Sequence, residues 1–231
     1  MGRSGGFDLD PFLLFTDGEQ NPCIASADPN AVIEYQGINC SMFPGHRRDG
    51  RRISDLSIVI PCDPPPDVIF TWMSECVVQE RALRLFREAG LTGFATRPAN
   101  ARLKGTGKSV AVRELLVTGW GGVAPAVSGI KEVGRCAYCG HLRYSELEEP
   151  RDLVSVKNWD GSDFFMIWPL PRFRFVTARV GEVCKKSGLS GVLLERNFPA
   201  PQISSGFSPG RLSYYMPPER AHALGDPLQI F

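Results

Sequence analysis

Nothing in these 231 residues approaches the roughly 20 consecutive apolar residues that a membrane-spanning helix needs. An excess of charge of either sign is missing too. With 26 Lys and Arg against 25 Asp and Glu, the formal charge is +1, which offers no whole-chain field to draw in a polyanion and argues against nucleic acid as the partner. Histidine is scarce, and the three present, His46, His141 and His222, stand beside no nucleophile motif. G-x-S-x-G, H-E-x-x-H and an EF-hand loop are all absent, so no motif points to an enzyme. Gly105 to Ser109, GTGKS, resembles the end of a phosphate-binding loop. The full pattern needs glycine where Arg102 stands, and no apolar strand leads in, so a hairpin loop before a strand over 110–117 is the better reading. The start of the chain lacks a secretory pattern. Phe12 to Phe15 is a short apolar patch between acidic residues, and Gly6 occupies the place where a myristoylation signal needs Ser or Thr. A cytoplasmic protein is expected. The seven cysteines agree, being odd in number, irregular in spacing, and part of a chain too large to need a disulfide framework.

What is present is an ordinary globular composition, 43% hydrophobic and 22% charged, in a chain long enough to bury a core as one large domain or two small ones. Within it, Gly119 to Ser145 holds the one pair of cysteines at ligand spacing, Cys136 and Cys139, with Gly140 and His141 directly after. A C-x-x-C-G turn places two thiolates on one side of a metal, and the glycine relieves the backbone behind the second. It is half a site, since tetrahedral zinc needs two more ligands. Earlier in the chain, INCSMFPGHRRDGRR offers Cys40, but Phe43 stands where a second thiol would be. His46 can serve as a ligand there. The competing reading is a solvated loop histidine beside Arg47, Arg48, Arg51 and Arg52, a local basic patch suited to an acidic partner.

Periodicity predicts an α/β (α+β) fold, a mixed sheet with a few packed helices. Short strands are expected over 32–38 and 55–62, the second stopped by Pro61. Val78, Ala82, Leu85, Phe86 and Ala89 fall on one face of a helix capped by Gly90. The pattern recurs. Aligning Gly90-Leu91-Thr92-Gly93 with Gly188-Leu189-Ser190-Gly191 sets Val78 on Val176, Arg81 on Arg179 and Phe86 on Cys184, which puts Cys184 in a core. Two related α/β halves are one explanation, and convergence on a common helix-to-strand turn is the other. Asp163 to Trp168 reads as a buried strand, and Phe173 and Phe175 alternate with Arg172 and Arg174, aromatics inward and arginines in water. Asp160 and Asp163 are either a carboxylate pair or turn and strand-start residues. A short helix opened by proline and ended by Gly225 closes the chain.

The ordered runs WGGVAP, GI-EV-RC, CAYCGH-RYS, WDGSDFF-IWPLPR, GLSGV and LSYYMPPERA-ALGDPL resemble the double-CXXCG motif family of myxobacterial immunity proteins. The resemblance covers about 32 to the C-terminus and is densest after Gly119. It implies an irregular segment over 1–31, then a single α+β immunity-type domain over 32–231 with halves 32–118 and 119–231. The second motif is intact at Cys136, Cys139 and Gly140, and the first is degenerate. If the motifs jointly hold metal, this chain supplies Cys136, Cys139, Cys40 and His46, a Cys3His set for at most one structural zinc. The alternative is a lost metal and a packed core in its place. Functionally, the resemblance implies cytoplasmic neutralisation of a cognate protein toxin, encoded by an adjacent gene, through stoichiometric binding. A zinc-knuckle nucleic-acid-binding or regulatory protein is the rival. Candidate anchors for a partner are Trp120, Trp159, Trp168, Arg172 and the Arg47 to Arg52 patch.

Overall fold

The computed structural model describes residues 23–148, 153–195 and 206–231, together with the backbone of 12–15. In chain order the elements are β1 (Phe12–Phe15), β2 (Ser26–Ala27), β3 (Tyr35–Ile38), β4 (Arg48–Arg52), β5 (Leu56–Ile60), β6 (Val68–Phe70), β7 (Cys76–Gln79) and helix α1 (Glu80–Glu88). There follow β8 (Phe94–Leu103), β9 (Val112–Val117), β10 (Gly119–Val123), β11 (Glu132–Arg135), β12 (Leu142–Tyr144), β13 (Phe164–Trp168) and β14 (Phe175–Val176). Helix α2 (Ala178–Ser187), β15 (Leu193–Glu195) and helix α3 (Pro218–Gly225) complete the chain. Among the described residues, mixed sheets and three α-helices bear out the expected α+β class.

Alternation along the short apolar strands divides the interior in two. In β6 and β7, Val68, Phe70, Cys76 and Val78 face the main core, while Ile69 and Val77 face the opposite way, as a period of 2 requires. That second side meets Ala25, Leu56, Ile58, Ile60, Leu103 and Val112. The sheet enclosing it runs β2-β5-β8-β9-β7-β6. It curls until its ends touch, because Ala25 donates to Phe70 O at 2.9 Å and bridges Thr71 in parallel. Cys23 and Cys62 form a disulfide, with Cα atoms 5.7 Å apart. This corrects the expectation drawn from the irregular cysteine spacing: antiparallel pairing of β2 with β5 brings together two thiols that are distant in sequence. The strand expected over 32–38 shortens to β3, and that over 55–62 to β5.

The other large sheet runs β10-β13-β14-β1-β15. Every side chain of β13 is buried there, including Trp168 at 1% exposure, so this strand is the spine of the main core. Two strands, β1 and β2, fall inside the stretch 1–31 that was expected to be irregular. The myristoylation and leader patterns weighed over residues 1–11 lie outside the described residues.

The helix-and-turn unit occurs twice with the same contacts. Helix α1 buries Ala82, Leu83 and Phe86 and ends at Gly90, φ +61°; α2 buries Val180 and Cys184 and ends at Gly188, φ +57°. Val78, expected to open the helix face, lies instead in β7, where β-branched chain favours the extended form and pairs with β6 and β9. The two units clasp each other. Arg81 of α1 reaches Asp67 at 2.6 Å and donates to Ser187 O at the end of α2, while Arg179 of α2 reaches Asp163 at 3.1 Å and donates to Ala89 O at the end of α1. The Thr92 amide donates to Asp163 and the Ser190 amide to Asp67, each at 2.9 Å. A Cβ on Gly93 would lie 2.0 Å from Phe164 O, and one on Gly191 would lie 2.0 Å from Val68 O. This agreement, contact by contact, favours related units over a coincidental turn. Each unit also has a strand between its β7-like and β8-like strands, antiparallel to both neighbours: β9 in the first, β1 in the second. The second unit therefore takes a strand from ahead of residue 32.

Candidate metal centre

Two hairpins carry the site. In the first, β11 pairs with β12, and the turn between them is Cys136 to His141. Cys136 N donates to His141 O at 2.9 Å and Gly140 N to Cys136 O at 2.8 Å, which folds the C-x-x-C segment back on itself. Gly140 sits at φ +61°, a conformation that favours glycine, with the mobile Arg211 guanidinium occupying the space beside its Cα. In the second hairpin β3 pairs with β4. Between them, Phe43 N donates to Cys40 Sγ at 3.4 Å, and a short 3₁₀ turn over Pro44–His46 swings His46 back toward Cys40.

The hairpin tips meet, and the ligand atoms of Cys40, His46, Cys136 and Cys139 all lie within 4.8 Å of one another. Cys40 Sγ is 3.8 Å from Cys136 Sγ, and Cys139 Sγ is 3.7 Å from His46 Nδ1. Two thiolates about 2.3 Å from a shared tetrahedral ion would be separated by about 3.8 Å. The group could hold a metal ion. Of the two readings of His46, the solvated loop residue is not what is found: the ring is half-buried with Nδ1 turned to a thiol. Phe43, in the place of the missing thiol, packs its ring 5.3 Å from that of His46 and 6.5 Å from that of Tyr138.

The electrostatics suit a bound cation's ligands. Burial pushes the Cys139 thiol up, but the Arg48 guanidinium, the His141 amide, His46 and Cys40 outweigh it and bring the thiol down to about 6. Arg48 Nη1 donates to Cys139 Sγ at 3.6 Å and to His46 O at 3.1 Å, and Nη2 to Cys139 O at 3.3 Å. Burial holds the Cys40 thiol up, so the cluster has one easily ionised sulfur and one reluctant one. The His141 ring lies 4.7 Å from that of His46, tilted by 36°, and burial together with Arg48 and His46 lowers its pKa. Its Nδ1 is buried without a hydrogen-bond partner.

Most of the expected partner anchors lie elsewhere than on the surface. Trp120 and Trp168 are buried, the latter donating from Nε1 to Tyr144 Oη at 2.8 Å. Trp159 packs on the core and donates to Ser162 O at 3.0 Å. Aromatic side chains of this size are drawn inward when the sheet offers an apolar face. The arginine patch divides: Arg47 and Arg51 are exposed, Arg48 serves the knuckle, and Arg52 is buried in an ion pair with Glu114 at 2.5 Å. Arg172 is exposed. Asp160 and Asp163 act at a turn and a strand start: Asp160 accepts from the Trp120 and Ser162 amides and from Arg220, and Asp163 from Thr92, Thr177 and Arg179. His141 borders the cluster without joining it, and His222 pairs with Asp226 at 3.1 Å. The sequence reading missed Arg48 as the partner of Cys139, which spacing does not reveal. It also missed Trp72, the tryptophan that is 74% exposed.

Among the described residues, no helix is long and apolar enough to cross a membrane. No protein-family model matches this chain, and no curated protein matches it, so the meeting of Cys40, His46, Cys136 and Cys139 is the observation on which a functional reading is built.

Proposed function

We propose that the protein is an immunity protein that neutralises a cognate protein toxin by stoichiometric binding, its binding form maintained by one structural zinc. The observation that carries this reading is the convergence of two knuckle hairpins whose cysteines Cys40 and Cys136 are 96 residues apart. A chain with paired C-x-x-C-G motifs would need this arrangement, with His46 replacing the thiol lost at Phe43. Three sulfurs and one imidazole complete a tetrahedron, which leaves zinc no open position for water or substrate. Such a centre ties segments together and does no chemistry, and its metal-binding free energy adds to folding free energy. Around the tips, Met42, Phe43 and Tyr138 are exposed, and elsewhere on the surface so are Trp72 and Met73. Aromatic and Met side chains are enriched at protein interfaces.

Co-expression with the product of the adjacent gene tests the reading. Rescue of growth from that product, with co-purification of a complex in equal proportions, is the expected result. A neighbour that is toxic yet neither bound nor relieved would overturn it.

A further inference from the structure

Beside the knuckles, between the β3–β4 hairpin, the turn after β6, strand β9 and the segment before β14, lies a cleft of about 520 Å³. Five arginines line it, Arg48, Arg52, Arg97, Arg172 and Arg174, against three carboxylates, Asp49, Glu75 and Glu114. Much of this charge is already matched. Glu114 holds Arg52 at 2.5 Å and Arg97 at 2.6 Å, Arg48 is committed to Cys139, and Glu75 accepts from the Thr71 hydroxyl. Arg172 and Arg174 differ. Among the described residues neither has a carboxylate partner; Arg174 donates to Arg172 O at 3.5 Å and lies 5.8 Å from the Phe70 ring centroid. Guanidiniums without a carboxylate partner in a concave surface suit an anionic group, a carboxylate or a phosphate, which they grip through paired N–H donors. Met73 and Ser74 line the cleft as well, on a turn in which Ser74 takes φ +67°, and Met73 is exposed.

We propose that this cleft is the docking site for the protein partner and receives a loop bearing Asp or Glu, whose carboxylate pairs with Arg172 and Arg174 while Met73 meets the loop's apolar flank. The inference rests on the binding-protein reading and adds the chemistry of the surface that is bound. Charge complementarity selects a short acidic loop over a nucleic acid. Asp49 and Glu75 interrupt the positive lining, so a run of consecutive phosphates finds no continuous track of cations there, and the net charge of +1 supplies no long-range pull. The cleft's volume is that of a site for a few side chains.

The test compares full-length wild type, R172E/R174E and the milder R172Q/R174Q, with melting temperature and metal content verifying that each variant folds. Two titrations are read: affinity for the toxin, and Trp fluorescence on adding a glutamate-rich hexapeptide, with a dT hexanucleotide alongside. The expected result is toxin affinity weakened about tenfold or more in R172E/R174E and by less in R172Q/R174Q. Peptide binding should be present in wild type, lost in R172E/R174E and weakened by salt, with no binding of the oligonucleotide. Toxin bound equally by wild type and R172E/R174E would overturn the docking site and leave the immunity reading standing. Absence of any toxin complex, with peptide binding still lost in R172E/R174E, would overturn the immunity reading and retain the acidic-loop site. A wild-type protein that ignores the peptide, or prefers the oligonucleotide, would sink the proposal.

Discussion

Asp28 receives both Arg102 Nε and Nη2, at 2.6 and 2.8 Å, and pins the turn after β2 to strand β8. The Arg102 hydrogen bond and the Asn30 amide hold its carboxyl at about 2, below the ordinary 3.8. A depressed carboxylate stabilises the fold above its unfolded value and loses that contribution as pH falls through its folded one. Asp28→Asn should therefore be less stable than wild type at pH 6, with the two converging as pH falls from about 4 toward 2; urea melts across that range give the measurement. His46 is open to an equally local test. His46→Ala should lower zinc affinity by more than the roughly 10–100-fold cost of losing a partner outside the coordination shell. Adding Phe43→Cys should recover much of that loss, because the Phe43 amide already points at Cys40 Sγ from the position of a second knuckle thiol. At this scale the sequence was partly legible. C-x-x-C-G announced Cys136 and Cys139, and His46 could be named as a candidate. Arg48 could not, because its reach to Cys139 depends on two hairpins stacking across 91 residues.

The clasp between helix-and-turn units belongs to the scale of elements. Gly93 and Gly191 stand at φ +81° and +78° against the carbonyls of Phe164 and Val68. Alanine at either position meets both a disfavoured backbone conformation and a collision with rigid main chain. Gly93→Ala and Gly191→Ala should each cost more than about 1 kcal/mol, and by similar amounts, whereas Gly105→Ala, with open space around it, should suffer only from its positive φ. Chemical denaturation of the three variants checks the ranking. The recurrence was readable because glycine caps and small-residue turns are local signals. The start of α1 was misplaced because Val78 suits both periods: it is four residues from Ala82, as on a helix face, and also the third residue of the apolar strand CVVQ. Which strand fills the gap in each unit was invisible, since β9 directly follows its unit in sequence whereas β1 lies far ahead of the unit it completes. Trp120 and Trp168 illustrate the same limit, for a strand's inward face is decided by what packs against it.

For the whole molecule, one long-range tie, the disulfide, complements the sheets, and the proposed zinc at the Cys40, His46, Cys136 and Cys139 cluster would add a second. Cys23–Cys62 closes 39 residues of chain, a loop whose restriction in the unfolded state is worth about 3–4 kcal/mol. Cys62→Ser should lower stability by about that amount under oxidising conditions and match wild type in reductant. The bridge sits against the cytoplasmic expectation, because cytosolic thiols are generally kept reduced. A chelator should act on the other tie, lowering the melting temperature in reductant as well. Both ties escaped reading from spacing alone, as each joins residues that only the folded sheets bring together.

The central claim is that one zinc joins the two hairpins through Cys40, His46, Cys136 and Cys139. X-ray absorption at the zinc edge, on protein purified without chelator, tests it directly. The account predicts one zinc per chain, with three sulfurs at about 2.3 Å and one nitrogen at about 2.0 Å. Protein that folds fully without metal, carries two or more ions per chain, or shows a shell dominated by oxygen would contradict it.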